Sequence, residues 1–328
     1  MLRASRYFGF AGVLGLGFLA CTQEVVGPVR VRAINGSIAA ITAAADPAIA
    51  FRMQTGKGFK ISYFVGVMNA DGSNQTSLVA SADAPLPAWS PDGRSIAYHP
   101  TTYGISRIDV SVVNGHPQAS AAVTLPISHD ALDIAWSPDP LNDQIAYSWN
   151  GPVAGDPGGL TLAPSRPVTP YVETDVYHTP QNQRMVWIAW NPQATKIAFL
   201  QRSTSASVDS LFILDLTTLP APTATFLRSF QRGVFGLSWS RTPPDRLALA
   251  YPSATTKSGS QPAILDLTTN TLSNAPSGLG AKWSPDDSRL VYYGTSSSGV
   301  NTVSVVTLSS GATVNLANGA YPEWRRNP

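Results

Sequence analysis

The sequence predicts an all-β chain, a six-bladed β-propeller of four-stranded antiparallel blades closed by pairing its two ends. Three observations carry that expectation: a recurring turn motif, the spacing of its copies, and a split copy at the termini. Residues 87–98 (PAWSPDGRSIAY) read as two short apolar strands joined by a Pro-Asp-Gly turn, with proline presetting φ and glycine accepting positive φ. The pattern returns at residues 134–147, 188–199, 237–250 and 281–293, and a last half-copy, PEWRR, holds Trp324. The aligned tryptophans, Trp89, Trp136, Trp190, Trp239, Trp283 and Trp324, are separated by 47, 54, 49, 44 and 41 residues. A two-strand motif at that period indicates radial repetition of four-stranded sheets.

The split copy predicts how the ring shuts. Ala48-Ile49-Ala50-Phe51 repeats the second strand of the motif with no tryptophan strand before it, and the missing strand surrounds Trp324. Pairing the C-terminal strand with N-terminal ones completes a blade and removes two open sheet edges. Third strands are expected at residues 210–217, 262–268 and 302–308, and a fourth strand at 171–177. The Gly/Pro-rich residues 151–170 are expected to protrude from the second repeat as a loop.

The tryptophans are expected to pack between neighbouring blades as the structural core of the repeat. Burying each contributes about 2–3 kcal/mol by area. Trp149 and Trp187 fall outside the aligned column and are candidates for surface or funnel contacts. Asp92, Asp139, Asp286 and Asp287 follow the tryptophan strands and suit side-chain bonding within the turn. Neither Asp139, Asn142 and Asp143 nor Asn69, Asp71 and Asn74 matches a calcium loop, so no metal is expected.

Composition narrows the function classes. Of 328 residues only 13% are charged, the net charge is +2 and no basic run occurs, so no nucleic-acid footprint is expected. Residues 1–21 have the layout of an export signal: Arg3 and Arg6, then 13 uncharged, largely apolar residues at 7–19, too few to cross a bilayer as a helix. The only cysteine, Cys21, closes that signal. Residues 22–46 read as a tether and 47–328 as the propeller.

Two resemblances follow from these residues. Phe18-Leu19-Ala20-Cys21 resembles the lipobox of bacterial lipoproteins, with Phe18 where leucine is usual, which implies lipidation at Cys21. Thr22 after the cysteine, rather than aspartate, favours the outer over the inner membrane by resemblance to proteobacterial sorting. WSPDG followed by Ile-Ala-Tyr resembles the repeats of TolB-like β-propellers over residues 48–328. That family's namesake carries an α/β domain ahead of its propeller; residues 22–46 are too few to form one. Its envelope role is therefore not carried over.

No catalytic residue and no cofactor is expected. Gly-x-Ser-x-Gly is absent, since Gly294-Thr295-Ser296 meets Ser298 where glycine is required. The expected function is a non-enzymatic, membrane-anchored, periplasm-facing scaffold for other envelope or membrane proteins, or an accessory subunit of their complex. The alternative is a funnel enzyme, of lyase or hydrolase type, acting on polysaccharide. Some sugar-cleaving lyases that resemble this repeat hold a metal with several histidines, but His99, His116, His129 and His178 are scattered in sequence.

Overall fold

The computed structural model describes residues 47–56, 61–81, 86–100, 104–151, 153, 156–253, 259–295 and 300–326. The export signal, Cys21 and the tether lie outside the described residues. Among those described, every regular element is a strand, and the strands form six antiparallel blades.

Blade 1 contains Ile49–Thr55, Ser62–Met68 and Thr76–Ser81. Blade 2 contains Ala88–Trp89, Ser95–Tyr98, Ser106–Val113 and His116–Ala119, with Val123–Thr124 also pairing to its third strand. Blade 3 is Ala131–Trp136, Gln144–Trp149, Gly159–Pro164 and Thr174–His178. Blade 4 is Gln183–Trp190, Lys196–Ser203, Val208–Asp215 and Thr223–Gln231. Blade 5 is Phe235–Trp239, Arg246–Pro252, Ser260–Asp266 and Thr271–Asn274. Blade 6 opens with Leu279–Trp283, Arg289–Thr295 and Asn301–Thr307.

One 12-residue strand, Thr313–Trp324, joins the ends of the ring. Residues 313–318 pair with Asn301–Thr307 as the outer strand of blade 6. Residues 319–324 pair with Ile49–Thr55 as the inner strand of blade 1, setting Trp324 opposite Ile49 and Gly319 opposite Met53. The Arg325 amide then donates to the Ala48 carbonyl at 2.7 Å. Gly319 is required at the crossover, because a Cβ there would collide with the Arg52 carbonyl.

The core is divided among six blade junctions, and each holds one motif tryptophan. Trp89 packs with Ile96 and Tyr98 of its own blade and with Ala50, Val65 and Val67 of blade 1. Trp136 packs with Ile145 and Tyr147, and meets Ala97 of blade 2. Trp190, Trp239, Trp283 and Trp324 repeat the arrangement against Ala146, Ala198, Ala248 and Val291 of the blade before. The period of two in a strand explains the Ile-Ala-Tyr triplet. Ile and Tyr turn toward their own tryptophan, while Ala turns to the other face, where its small side chain leaves room for the next blade's indole.

Two expectations are corrected. Residues 151–170 are not one protruding loop: Gly159–Pro164 is the third strand of blade 3, with Leu160, Thr161, Leu162 and Ala163 buried. Its apolar alternation is masked in sequence by flanking glycines and prolines. One of those, Gly159, is needed because a Cβ would overlap the Trp149 ring. Trp149 in turn is not a surface residue; it is 7% exposed, stacks on His129 at 4.0 Å and donates its indole hydrogen to Thr161.

Candidate functional site

The inner strands of the six blades surround a central channel, and their common register builds it in layers. Three residues before each tryptophan stand Leu86, Asp133, Trp187, Gly236, Gly280 and Tyr321, which together line the mouth. Four of the six have left-handed backbones: Trp187 at φ 47°, Gly236 at 70°, Gly280 at 59° and Tyr321 at 50°. The inner strand bulges there in blades 4, 5 and 6, where the register slips by a residue. Such a φ costs a tryptophan or tyrosine on the order of 1–3 kcal/mol, so these two rings are held at the mouth against local preference.

Gly236 and Gly280 let blades 5 and 6 approach closely, since a Cβ on Gly236 would sit 2.9 Å from the Gly280 Cα. Over this flat stretch the rings of Trp187 and Tyr321 close from either side. Trp187 lies 4.6 Å from Phe235 and 6.5 Å from Tyr321, and Tyr321 lies 5.0 Å from Tyr293. The Arg52 guanidinium covers Tyr321 at 4.7 Å. Trp187, Phe235 and Tyr321 remain half-buried, whereas Tyr293 is buried. Burial and the neighbouring Tyr321 push the Tyr293 hydroxyl above the usual tyrosine range.

Asp133 is the acidic member of the mouth. Burial pushes its carboxyl up to about 6, against the opposing pull of Lys282 and of the Ile188 amide, which donates to it at 2.7 Å. That bond ties blade 3 to blade 4.

One step deeper, immediately before each tryptophan, stand Ala88, Ala135, Ala189, Ser238, Lys282 and Glu323. Four small residues leave the channel open, and the ion pair of Lys282 Nζ with Glu323 Oε2 at 3.2 Å spans the remaining blades. The mouth encloses about 30 Å³ and the deeper layer about 40 Å³. Each has room for two or three waters, less than a sugar ring needs. At the far end Arg241 and Arg326 replace the proline of the Trp-Ser-Pro motif. Burial lowers both guanidinium pKa values, that of Arg326 to about 9. Arg241 donates from Nη2 to the Trp324 carbonyl at 3.2 Å.

The six motif tryptophans are 1–6% exposed and belong to the blade junctions. Trp190 and Trp283 donate their indole hydrogens to Ala135 and Ser238 of the preceding blade, both at 3.1 Å. Trp136 donates to Asp143 at 2.8 Å. Asp92 and Asp286 bond within their turns, to Ser90 and Arg94 and to Ser284 and Ser288. Asp287 does something different: it accepts from the Arg241 and Thr242 amides and clamps blade 6 to blade 5. Of the histidines, His129 and His178 flank Trp149 in blade 3, each within 4 Å of Asp175. His99 is buried in blade 2, which lowers its pKa to about 4. Among the described residues no group of three or more His, Cys, Asp or Glu is placed to hold a metal ion.

Sequence reading had singled out Trp187 but not the ring around it. The signal was present: it is the column three places before each tryptophan, where aromatic, acidic and glycine residues replace a uniform pattern.

No protein-family model and no curated protein matches the chain. Among solved structures it is similar to TolB from Acinetobacter baumannii, at 17% identity and a TM-score of 0.61, covering 86% of this chain and 67% of that one. It is also similar to an oligogalacturonate lyase in complex with manganese, at 14% identity, TM-score 0.48, and 82% and 74% coverage. A third similarity is to a puromycin-hydrolyzing peptidase of Mycobacterium tuberculosis, at 13% identity, TM-score 0.45, and 82% and 45% coverage. In fold, the chain is a TolB-like β-propeller.

Proposed function

We propose that this propeller is a non-enzymatic binding platform of the bacterial envelope that presents its channel mouth to another protein. The observation that carries the reading is the half-buried aromatic group Trp187, Phe235 and Tyr321 at the channel mouth. Rings set by strained backbones at an opening, with an ion pair crossing the layer beneath, suit a shallow recess for an apolar side chain. Aromatic residues in such recesses are the usual anchors of protein interfaces. The export layout of residues 1–21 and the placement of Cys21 support a lipid-anchored, periplasm-facing position, on the outer membrane rather than the inner.

The test is affinity capture from detergent-solubilised envelope with wild type, Trp187→Ala and Tyr321→Ala. A partner retained by wild type and lost by both variants, with circular dichroism unchanged, is the expected result. Identical capture by all three overturns the reading. Anchoring is tested separately: Cys21→Ala is expected to leave the membrane fraction, and its unchanged partition into detergent sinks the lipid anchor.

A further inference from the structure

Beside the mouth a cleft of about 280 Å³ opens at the junction of blades 3 and 4. Asp133, Asn150, Arg184, Trp187, Arg202 and Arg232 line it. Asp133 and Trp187 belong to both openings, so cleft and mouth form one continuous surface.

The arginines are arranged at a cost. Arg184 and Arg202 are directly opposed on neighbouring strands, which puts two guanidiniums on one face of the sheet. Like charges in that relation repel. Asp209, which is fully buried, neutralises only Arg202. One oxygen accepts from Arg202 Nε at 2.8 Å and the other from Nη2 at 2.9 Å. The second oxygen also takes the amides of Gly233 and Val234, each at 2.8 Å. Its acceptor capacity is filled. Arg202 is thereby fixed in place, while the side chains of Arg184 and Arg232 have no hydrogen-bond or ion-pair partner among the described residues, and both residues are exposed. The acid nearest them in the cleft, Asp133, is engaged by the Ile188 amide.

We propose that this cleft binds the carboxylates of an acidic peptide segment on a protein partner, with Arg184 and Arg232 as the grips and Arg202 as the rigid back wall. The proposal rests on the mouth being a protein-docking site. Guanidinium forks match carboxylates in shape and charge, and two unengaged forks beside a fixed one form a pre-set receptor for more than one acidic side chain. A peptide fits better than an acidic glycan because the cleft continues the proposed protein-docking mouth, and the ring faces of Trp187 and Tyr321 that meet Phe235, Tyr293 and Arg52 are not free to stack a sugar.

The experiment titrates fluorescein-labelled octaglutamate, octalysine and oligogalacturonate into wild type, Arg184→Glu/Arg232→Glu, Arg184→Gln/Arg232→Gln and Trp187→Ala. Octaglutamate is expected to bind wild type, weaken as salt rises, and lose at least tenfold in Kd in both double variants; octalysine is expected not to bind. Unchanged octaglutamate affinity in a double variant that melts like wild type overturns the proposal. Tighter binding of oligogalacturonate, lost in the same variants, overturns it in favour of a glycan site. Capture of an envelope partner that needs Trp187 but survives both double variants sinks the acidic segment and leaves the platform intact. Octaglutamate binding that needs the arginines, with no capture that needs Trp187, does the reverse.

Discussion

Trp190 donates its indole hydrogen to the carbonyl of Ala135, 3.1 Å away in the preceding blade, and that bond joins two sheets whose shared core is apolar. Trp283 repeats it on Ser238 at the same distance. Trp190→Ala is expected to cost about 3–5 kcal/mol through the cavity it leaves. Trp190→Phe is expected to cost less, since it keeps a ring but leaves the Ala135 carbonyl without its indole donor. Denaturant midpoints check the order; a Phe variant as unstable as the Ala variant contradicts it.

Ala146 turns toward blade 4 and shares its cluster with Trp190. Ala146→Leu is therefore expected to destabilise by about 1–3 kcal/mol through overpacking. The same change at Ala121, an exposed site, should leave the melting temperature within a degree or two. Equal effects at both sites would mean that the small residue of the triplet has no packing role.

Closure concentrates in a few residues. Gly319→Ala places a Cβ against the Arg52 carbonyl and is expected to lower the melting temperature by several degrees. Deleting residues 320–328 removes Trp324 and strips Ile49–Thr55 of its partner, so a much larger fall is expected. A melting curve matching the intact chain would contradict the ring.

Asp133 makes stability fall as pH rises. Its carboxyl titrates at about 6 in the fold against an ordinary value of 3.8, so between those values the folded state holds the proton more tightly than the unfolded one. The contribution is fully present below pH 4 and is lost as pH passes 6. Asp133→Asn is expected to remove this slope, so the gap between variant and wild type should widen from pH 4 to 6 and then level. A constant gap across that range would rule out the raised pKa.

The architecture was legible because it is local and repeated. Trp, a Pro-Asp-Gly turn and Ile-Ala-Tyr recur at a narrow period, and the half-motif at Ile49 pointed to its complement at Trp324. Strands with weak local signals were harder to see. Residues 159–164 were hidden among glycines and prolines whose purpose, making space for the Trp149 indole, exists only after packing. The candidate site was less legible still. Asp287 reads as one more turn aspartate, yet it clamps a neighbouring blade.

By itself, then, the sequence determined the number of blades, their tryptophan seams and the way the ring shuts, because each follows from patterns within a dozen residues or from similar copies of one motif. Only the tertiary structure decided which side chains share the mouth and which arginines are left without an acid. Leu86 and Tyr321 are far apart in the chain and meet because six inner strands converge on one axis. Arg184 faces Arg202 because a register between two strands puts it there, and charge neutrality at that spot depends on where Asp209 spends its oxygens.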